Sequence, residues 1–456
     1  MSRRILYACA SPNPPPSIML VYVVVSAVPV ALTGANGTAS LNSTPFFVGR
    51  LQARRWQQQC ARLEPHFLDY AATHTAARLK MQRKSSGCGG PRILLAPFTF
   101  DLNCCLGNII GKLLAVLALG MASGRAVFFM GGQDDEVMKI MLGRGFNWSL
   151  PEACRGRFAR NSIEAPRSKG LDGAFAVNRT FVLRHPTYAL WQELLGHATY
   201  RAYFEQYIKP HLANRWSDTQ RTTPSYTTPV RQDYAGCLQH FMLAPGLRLR
   251  REYRAMIPPG EYAAVHVRLA RLLIFMGVPG LDADRLAIVQ PSASKEALSL
   301  ADIDTWMANH SKNAHVTYQH ENAHGCRPSA PVSRALPMQA AFSCIGCHAS
   351  SKPVFLASDS AMAHRAVAHW AMEQLGTKLV QRPSNSTYVP NDPRTRRTAE
   401  DLFDVALDYF MMSGASELFL QLSMYSSLSS AALERSLPGD TQPPCTCGGF
   451  YCLRGS

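Results

Sequence analysis

The strongest constraint on the fold is a strand–turn–helix–strand pattern between residues 92 and 132. A short apolar run at 92–97 is followed by a glycine turn at Gly107-Asn108, which opens an amphipathic stretch over 107–125. A second apolar run at 127–130 is closed by Gly131-Gly132. Strands joined through a helix lie parallel, so the pattern predicts an α/β fold with a parallel sheet. It returns in the second half, where 263–267 and 353–357 read as buried strands, 361–375 and 401–412 as helices, and 418–420 as a further short strand. Between the two α/β regions, 180–255 reads as mostly helical around a polar loop at 214–229.

The chain has 456 residues, enough for two ordinary domains and an N-terminal extension. The extension begins with Arg3 and Arg4, followed by an apolar run at 18–32, and no acid precedes Glu64. A basic start before a short apolar core reads as a secretory signal. The run is shorter than the ~20 residues of a spanning helix, and Pro29 interrupts it, so a cleaved signal peptide and a signal anchor both fit residues 1–34. Residues 35–90 read as a stem closed by a Ser-Ser-Gly-Cys-Gly-Gly-Pro breaker, and 438–456 as a cysteine-rich tail.

Glycosylation sequons support a lumenal course. They fall at Asn36, Asn42, Asn147, Asn178, Asn309 and Asn385, six among fourteen asparagines, where chance gives about two. Thirteen cysteines suit an oxidising compartment, and Cys9, ahead of the apolar run, is the natural odd one out. The formal charge of +16 favours an anionic partner. The arginines are dispersed and form no nucleic-acid reading motif, so a nucleic acid is not expected.

Four segments have the residue types for binding a sugar nucleotide. Gly107 and Asn108 lead a helix, where backbone N–H groups approach a diphosphate; a plain tight turn is the simpler reading. His266 and Arg268 end a buried strand, where open α/β sheets bind ligands and an arginine fork clamps phosphate oxygens. A core histidine beside a surface arginine reads equally from the residues alone. Asp359 and Ser360 follow a third strand, placed either to accept hydrogen bonds from a base or ribose or to cap the next helix. Ser426, Ser427 and Ser429 open a final helical stretch with hydroxyls and amides suited to phosphate.

In order and spacing these segments resemble the fucosyltransferase-like superfamily, which includes protein O-fucosyltransferases, α-1,6-fucosyltransferases and the plant xyloglucan type. The Gly-Asn turn before a long helix, His-x-Arg at 266–268, Phe-Leu-Ala-Ser-Asp-Ser at 355–360, and the segment 408–432 resemble the family's motifs, as does Phe-Met-Leu-Ala-Pro at 241–245. The resemblance covers residues 92–435 in patches. It implies a GT-B-like pair of Rossmann-type domains facing a cleft. The acceptor-side domain would span 91–255, and the GDP-sugar domain 256–437 with an insertion at 306–352. It also implies a GDP-fucose donor, a glycan or glycoprotein acceptor, Arg268 stabilising the leaving diphosphate, and no required metal or cofactor. The chain departs from the family at Ile109, where arginine is frequent, and at Leu269-Ala270. The first acids beyond His-x-Arg are Asp282 and Asp284, which makes Asp282 the candidate base, with an ordinary loop aspartate in Gly-Leu-Asp-Ala-Asp as the simpler reading. An inactive lumenal binding protein on the same fold is the alternative.

The insertion holds two other patterns. Cys344-Ile345-Gly346-Cys347-His348 matches a c-type haem attachment sequence, though a disulfide loop is the better reading. His310, His315, His320, His324, His348 and Cys326 have the chemistry of zinc ligands without a regular ligand spacing.

Overall fold

The computed structural model describes residues 60–83, 88, 92–97, 106–130, 141–142, 147–155, 171–176, 180–183, 189–211, 232–267, 299–311, 338–349, 352–358, 361–377, 379–380, 399–421, 445–447 and 450–454. Pro45–Ser456 forms one compact unit, and no residue of Met1–Thr44 is described.

In chain order the elements are α1 (Glu64–Arg83), β1 (Ile93–Pro97), α2 (Leu106–Ala122), β2 (Ala126–Met130), β3 (Met141–Leu142), α3 (Asp172–Ala176) and β4 (Phe181–Val182). Next come α4 (Ala189–Gly196), α5 (Ala198–Tyr203), α6 (Gln232–Met242), β5 (Ala244–Pro245), α7 (Leu247–Met256) and β6 (Ala263–Val267). The chain continues with α8 (Leu300–Ser311), α9 (Met338–Ala349), β7 (Val354–Ser358), α10 (Ala361–Trp370), α11 (Ala399–Gly414), β8 (Glu417–Gln421), β9 (Cys445–Cys447) and β10 (Phe450–Arg454).

The expected α/β architecture with parallel sheets is present. A first sheet has the order β2-β1-β4, all parallel. A second has the order β7-β6-β8-β10-β9; β6 runs parallel to β7 and β8, and the β9–β10 hairpin adds antiparallel strands at the far side. A short β3–β5 pair stands apart.

Strand alternation sorts the side chains into three cores. Leu94, Ala96, Val127 and Phe129 of the first sheet share one core with Ala264, Phe355, Ala357 and Leu418 of the second. The opposite face of the first sheet, with Ile93, Leu95, Ala126 and Phe128, packs on Met81, Leu150 and the Cys88–Cys154 pair. The opposite face of the second, with Ala263, Val265, Val354 and Leu356, packs on α8, α9 and α10 through Ile303, Phe342, Ile345 and Val367. Both faces of each sheet are thus covered, as parallel sheets require. Gly120 lets α2 lie against β2, since a Cβ there would sit 2.2 Å from Val127 Cγ2, and Gly124 ends the helix turn at φ 64°.

Two sequence expectations change. The basic stretch read as stem contains α1, whose Phe67, Tyr70, Ala71 and His74 are buried. Its polar sequence conceals a role at the outer edge of β2. The Val127 N–H donates to Tyr70 Oη at 3.1 Å, and His74 Nε2 donates to the Val127 carbonyl at 2.7 Å. Two residues on, Phe129 exchanges hydrogen bonds with Trp148 and Leu150. Helix side chains and a loop therefore satisfy an edge that would otherwise template intermolecular pairing. The segment read as a cysteine-rich tail supplies β9 and β10, which extend the second sheet. Disulfides join Cys60 to Cys237 and Cys88 to Cys154, and Cys344 is also disulfide-bonded, consistent with an oxidising environment.

Candidate functional site

β6 reads Ala-Ala-Val-His-Val and is buried along its whole length. Four of its five residues are small or apolar and β-compatible, so His266 is the exception that needs a reason. It lies one residue from the strand's carboxyl end and is 5 % exposed. In register it faces Ala357 of β7 on one side and Leu420 of β8 on the other. Alternation along β6 puts it on the same face as Ala264, the face that shares its core with α2.

Because β6, β7 and β8 are parallel, the chain leaves all three at one edge, after Val267, Ser358 and Gln421. Three of the four candidate segments continue from these neighbouring strand ends. Arg268, Asp282, Asp359, Ser360, Ser426, Ser427 and Ser429 themselves lie outside the described residues. Ser358, the last residue of β7, is buried at this edge.

The fourth segment belongs to the first sheet. Gly107 and Asn108 are in the first turn of α2, the helix that follows β1 from its carboxyl end. N–H groups in a first helical turn have no intrahelical acceptor and suit an anion. The structure thus sets side by side the three strand ends from which these segments continue, and places Gly107 and Asn108 in the helix that follows a strand of the other sheet.

Two buried carboxylates escaped the sequence reading as separate features. Asp404 and Asp408 are 4 % and 8 % exposed and lie four residues apart on α11, the helix that leads into β8. Acids spaced i, i+4 inside Leu-Phe-Asp-Val-Ala-Leu-Asp-Tyr-Phe were the available signal. Nearby, Arg248 of α7 makes a two-pronged salt bridge with Glu400 of α11, and its guanidinium stacks 4.1 Å from the centre of the Phe403 ring. The Glu400 hydrogen bond raises the Arg248 pKa and lowers that of Glu400.

Cys344 lies in α9, and a sulfur held in a disulfide is not available to a haem vinyl group. His310 and His348 fall in α8 and α9, while His315, His320, His324 and Cys326 lie outside the described residues. Among the described residues no group of three or more His, Cys, Asp or Glu is arranged to hold a metal ion, and no helix is long and apolar enough to cross a membrane. The apolar run at 18–32 lies outside them. No protein-family model and no curated protein matches the chain.

Proposed function

We propose that the chain is a glycosyltransferase of the secretory pathway that moves fucose from GDP-fucose to a hydroxyl of a glycan or glycoprotein. The observation that supports this reading is the register of His266 with Ala357 and Leu420. It brings the strands leading into Arg268, into Asp359-Ser360 and into Ser426–Ser429 side by side at one carboxyl edge. Ligands of open α/β sheets bind at such edges. In the proposed GT-B-like arrangement this edge holds the nucleotide, and the α2 first turn at Gly107-Asn108 borders the acceptor side.

The chemistry follows from the donor. The acceptor hydroxyl oxygen forms a bond to the sugar's anomeric carbon as the bond from that carbon to the diphosphate oxygen breaks. GDP departs with the electron pair, and the hydroxyl proton passes to a base, assigned to Asp282. Arg268 neutralises charge growing on the leaving diphosphate, and preorganised charge of this kind acts most strongly in the transition state. The reaction as proposed needs no resident cofactor or metal, and the N-terminal run at 18–32 would deliver the chain to the lumen of the endoplasmic reticulum or Golgi, with membrane anchoring if it is retained.

Calorimetry with GDP, GDP-fucose, UDP-sugars and ADP tests the donor. Tightest binding of the guanine nucleotides is the expected result, and preference for a UDP-sugar overturns the assignment. Labelled GDP-fucose offered to peptide, N-glycan and wall-polysaccharide acceptors then tests transfer; GDP binding without transfer to any acceptor identifies a binding protein instead of an enzyme.

A further inference from the structure

Asn147, Trp148 and Ser149 form one of the six sequons, and the fold gives this one a defined geometry. Asn147 is exposed, while Trp148 beside it is buried edge-on against Phe129. The Asn147 side-chain oxygen accepts two hydrogen bonds from Ser149, one from its N–H at 3.0 Å and one from its hydroxyl at 2.6 Å. Arg78 of α1 donates to the carbonyls of both Asn147, at 3.2 Å, and Ser149. The amide oxygen is therefore held by Ser149, and none of these contacts uses the amide nitrogen of this exposed residue. A substituent on that nitrogen displaces none of these contacts.

We propose that Asn147 carries an N-linked glycan, attached where residues 147–150 cover the outer edge of β2. The proposal rests on the secretory reading above. In the transfer, the Asn147 side-chain nitrogen bonds to the anomeric carbon of a lipid-linked oligosaccharyl diphosphate. The bond from that carbon to the diphosphate oxygen breaks, the lipid diphosphate leaves with the electron pair, and one amide proton is lost to solvent. The bulk of the sugar then stands beside the segment that pairs with Phe129, where an approaching strand would have to dock. A glycan here adds a steric guard to the covered sheet edge.

The test is glycopeptide mass spectrometry on the full chain secreted from, or retained in, a glycosylating eukaryotic cell. Enzymatic glycan removal in heavy-oxygen water converts a formerly occupied asparagine to labelled aspartate. The expected result is label at Asn147 in most copies, loss of that label in Ser149→Ala, and retention in Ser149→Thr, which keeps the hydroxyl. An unlabelled Asn147 peptide alongside labelled peptides from other sequons overturns the proposal and leaves the secretory reading standing. No label at any of the six, together with cysteines that react as free thiols, overturns both.

Discussion

Lys352 Nζ lies 3.2 Å from Glu417 Oε1 and 3.0 Å from Glu261 Oε2, so one ammonium joins the amino ends of three neighbouring strands. Glu261 stands two residues before β6, Lys352 two before β7, and Glu417 opens β8. The clamp sits at the opposite end of the sheet from His266 and fixes the register that aligns the candidate edge. Burial disfavours the lysine's charge, but the hydrogen bonds to Glu261 and Glu417 outweigh it and raise its pKa. A raised lysine pKa means that the stabilisation is present at neutral pH and is lost as pH rises past the ordinary lysine value.

Lys352→Met should therefore destabilise the fold by about 1–3 kcal/mol, because it leaves the poorly exposed Glu417 carboxylate without its cation. Glu261→Gln removes a more exposed partner and should cost under about 1 kcal/mol. Urea unfolding of the two variants measures both; equal and negligible costs would show that the clamp is ornamental.

Acid should loosen α1 from the first sheet. His74 is fully buried, and desolvation holds its pKa at about 4, against 6.5 when free, despite the bond to the Val127 carbonyl. The folded state keeps the ring neutral, so between these values the unfolded chain binds more protons. Stability is then complete above the free value and falls as pH drops from there through the folded value, by up to about 3 kcal/mol. His66, also lowered mainly by burial, acts in the same direction. Unfolding free energies at pH 7 and pH 4.5 should differ less in His74→Phe than in the parent chain. An unchanged pH dependence would remove His74 from the account.

This helix also marks where the sequence stopped being legible. Strands β1, β2 and β6 to β8 were readable because short apolar runs ended by Gly or polar residues have few other solutions. α1 was hidden because its buried face contains Tyr70 and His74, which satisfy a strand edge that no local pattern announces. α9 was hidden for another reason. Met338, Ala341, Phe342, Ile345 and Ala349 keep helical spacing, but cysteine and histidine content drew attention to ligand chemistry. β10 is a short apolar run, Phe-Tyr-Cys-Leu, but it follows a Pro/Cys/Gly-rich stretch and its place in the sheet depends on pairing with distant β8. At the site, the strand ends and His266 were legible, while the pairing that sets them side by side is a property of the sheet.

Cys88 and Cys154 close a loop with a sequence separation of 66 residues that contains β1, α2 and β2. Restricting a loop of that size in the unfolded chain stabilises the folded one by about 2–5 kcal/mol. Replacing both cysteines by serine should lower the unfolding midpoint accordingly, and the same treatment with reductant should mimic it in the parent chain. A midpoint unmoved by either would mean that the bridge does not form in solution.

The donor proposal is most exposed at Arg268 and Asp282. Arg268 follows His266 by two residues, immediately after Val267, the last residue of β6. Arg268→Lys keeps the charge but loses the planar two-pronged fork, and is not conservative for a phosphate clamp. It should weaken GDP binding and lower kcat/KM, together amounting to about 2–4 kcal/mol of lost transition-state stabilisation. Asp282→Asn should act differently, because a base takes the acceptor proton only as the new bond forms. Turnover should fall while GDP affinity stays close to that of the parent chain. Unchanged GDP affinity in Arg268→Lys would remove the diphosphate from this edge. A silent Asp282→Asn beside a damaged Arg268→Lys would keep the donor site and move proton removal to another group.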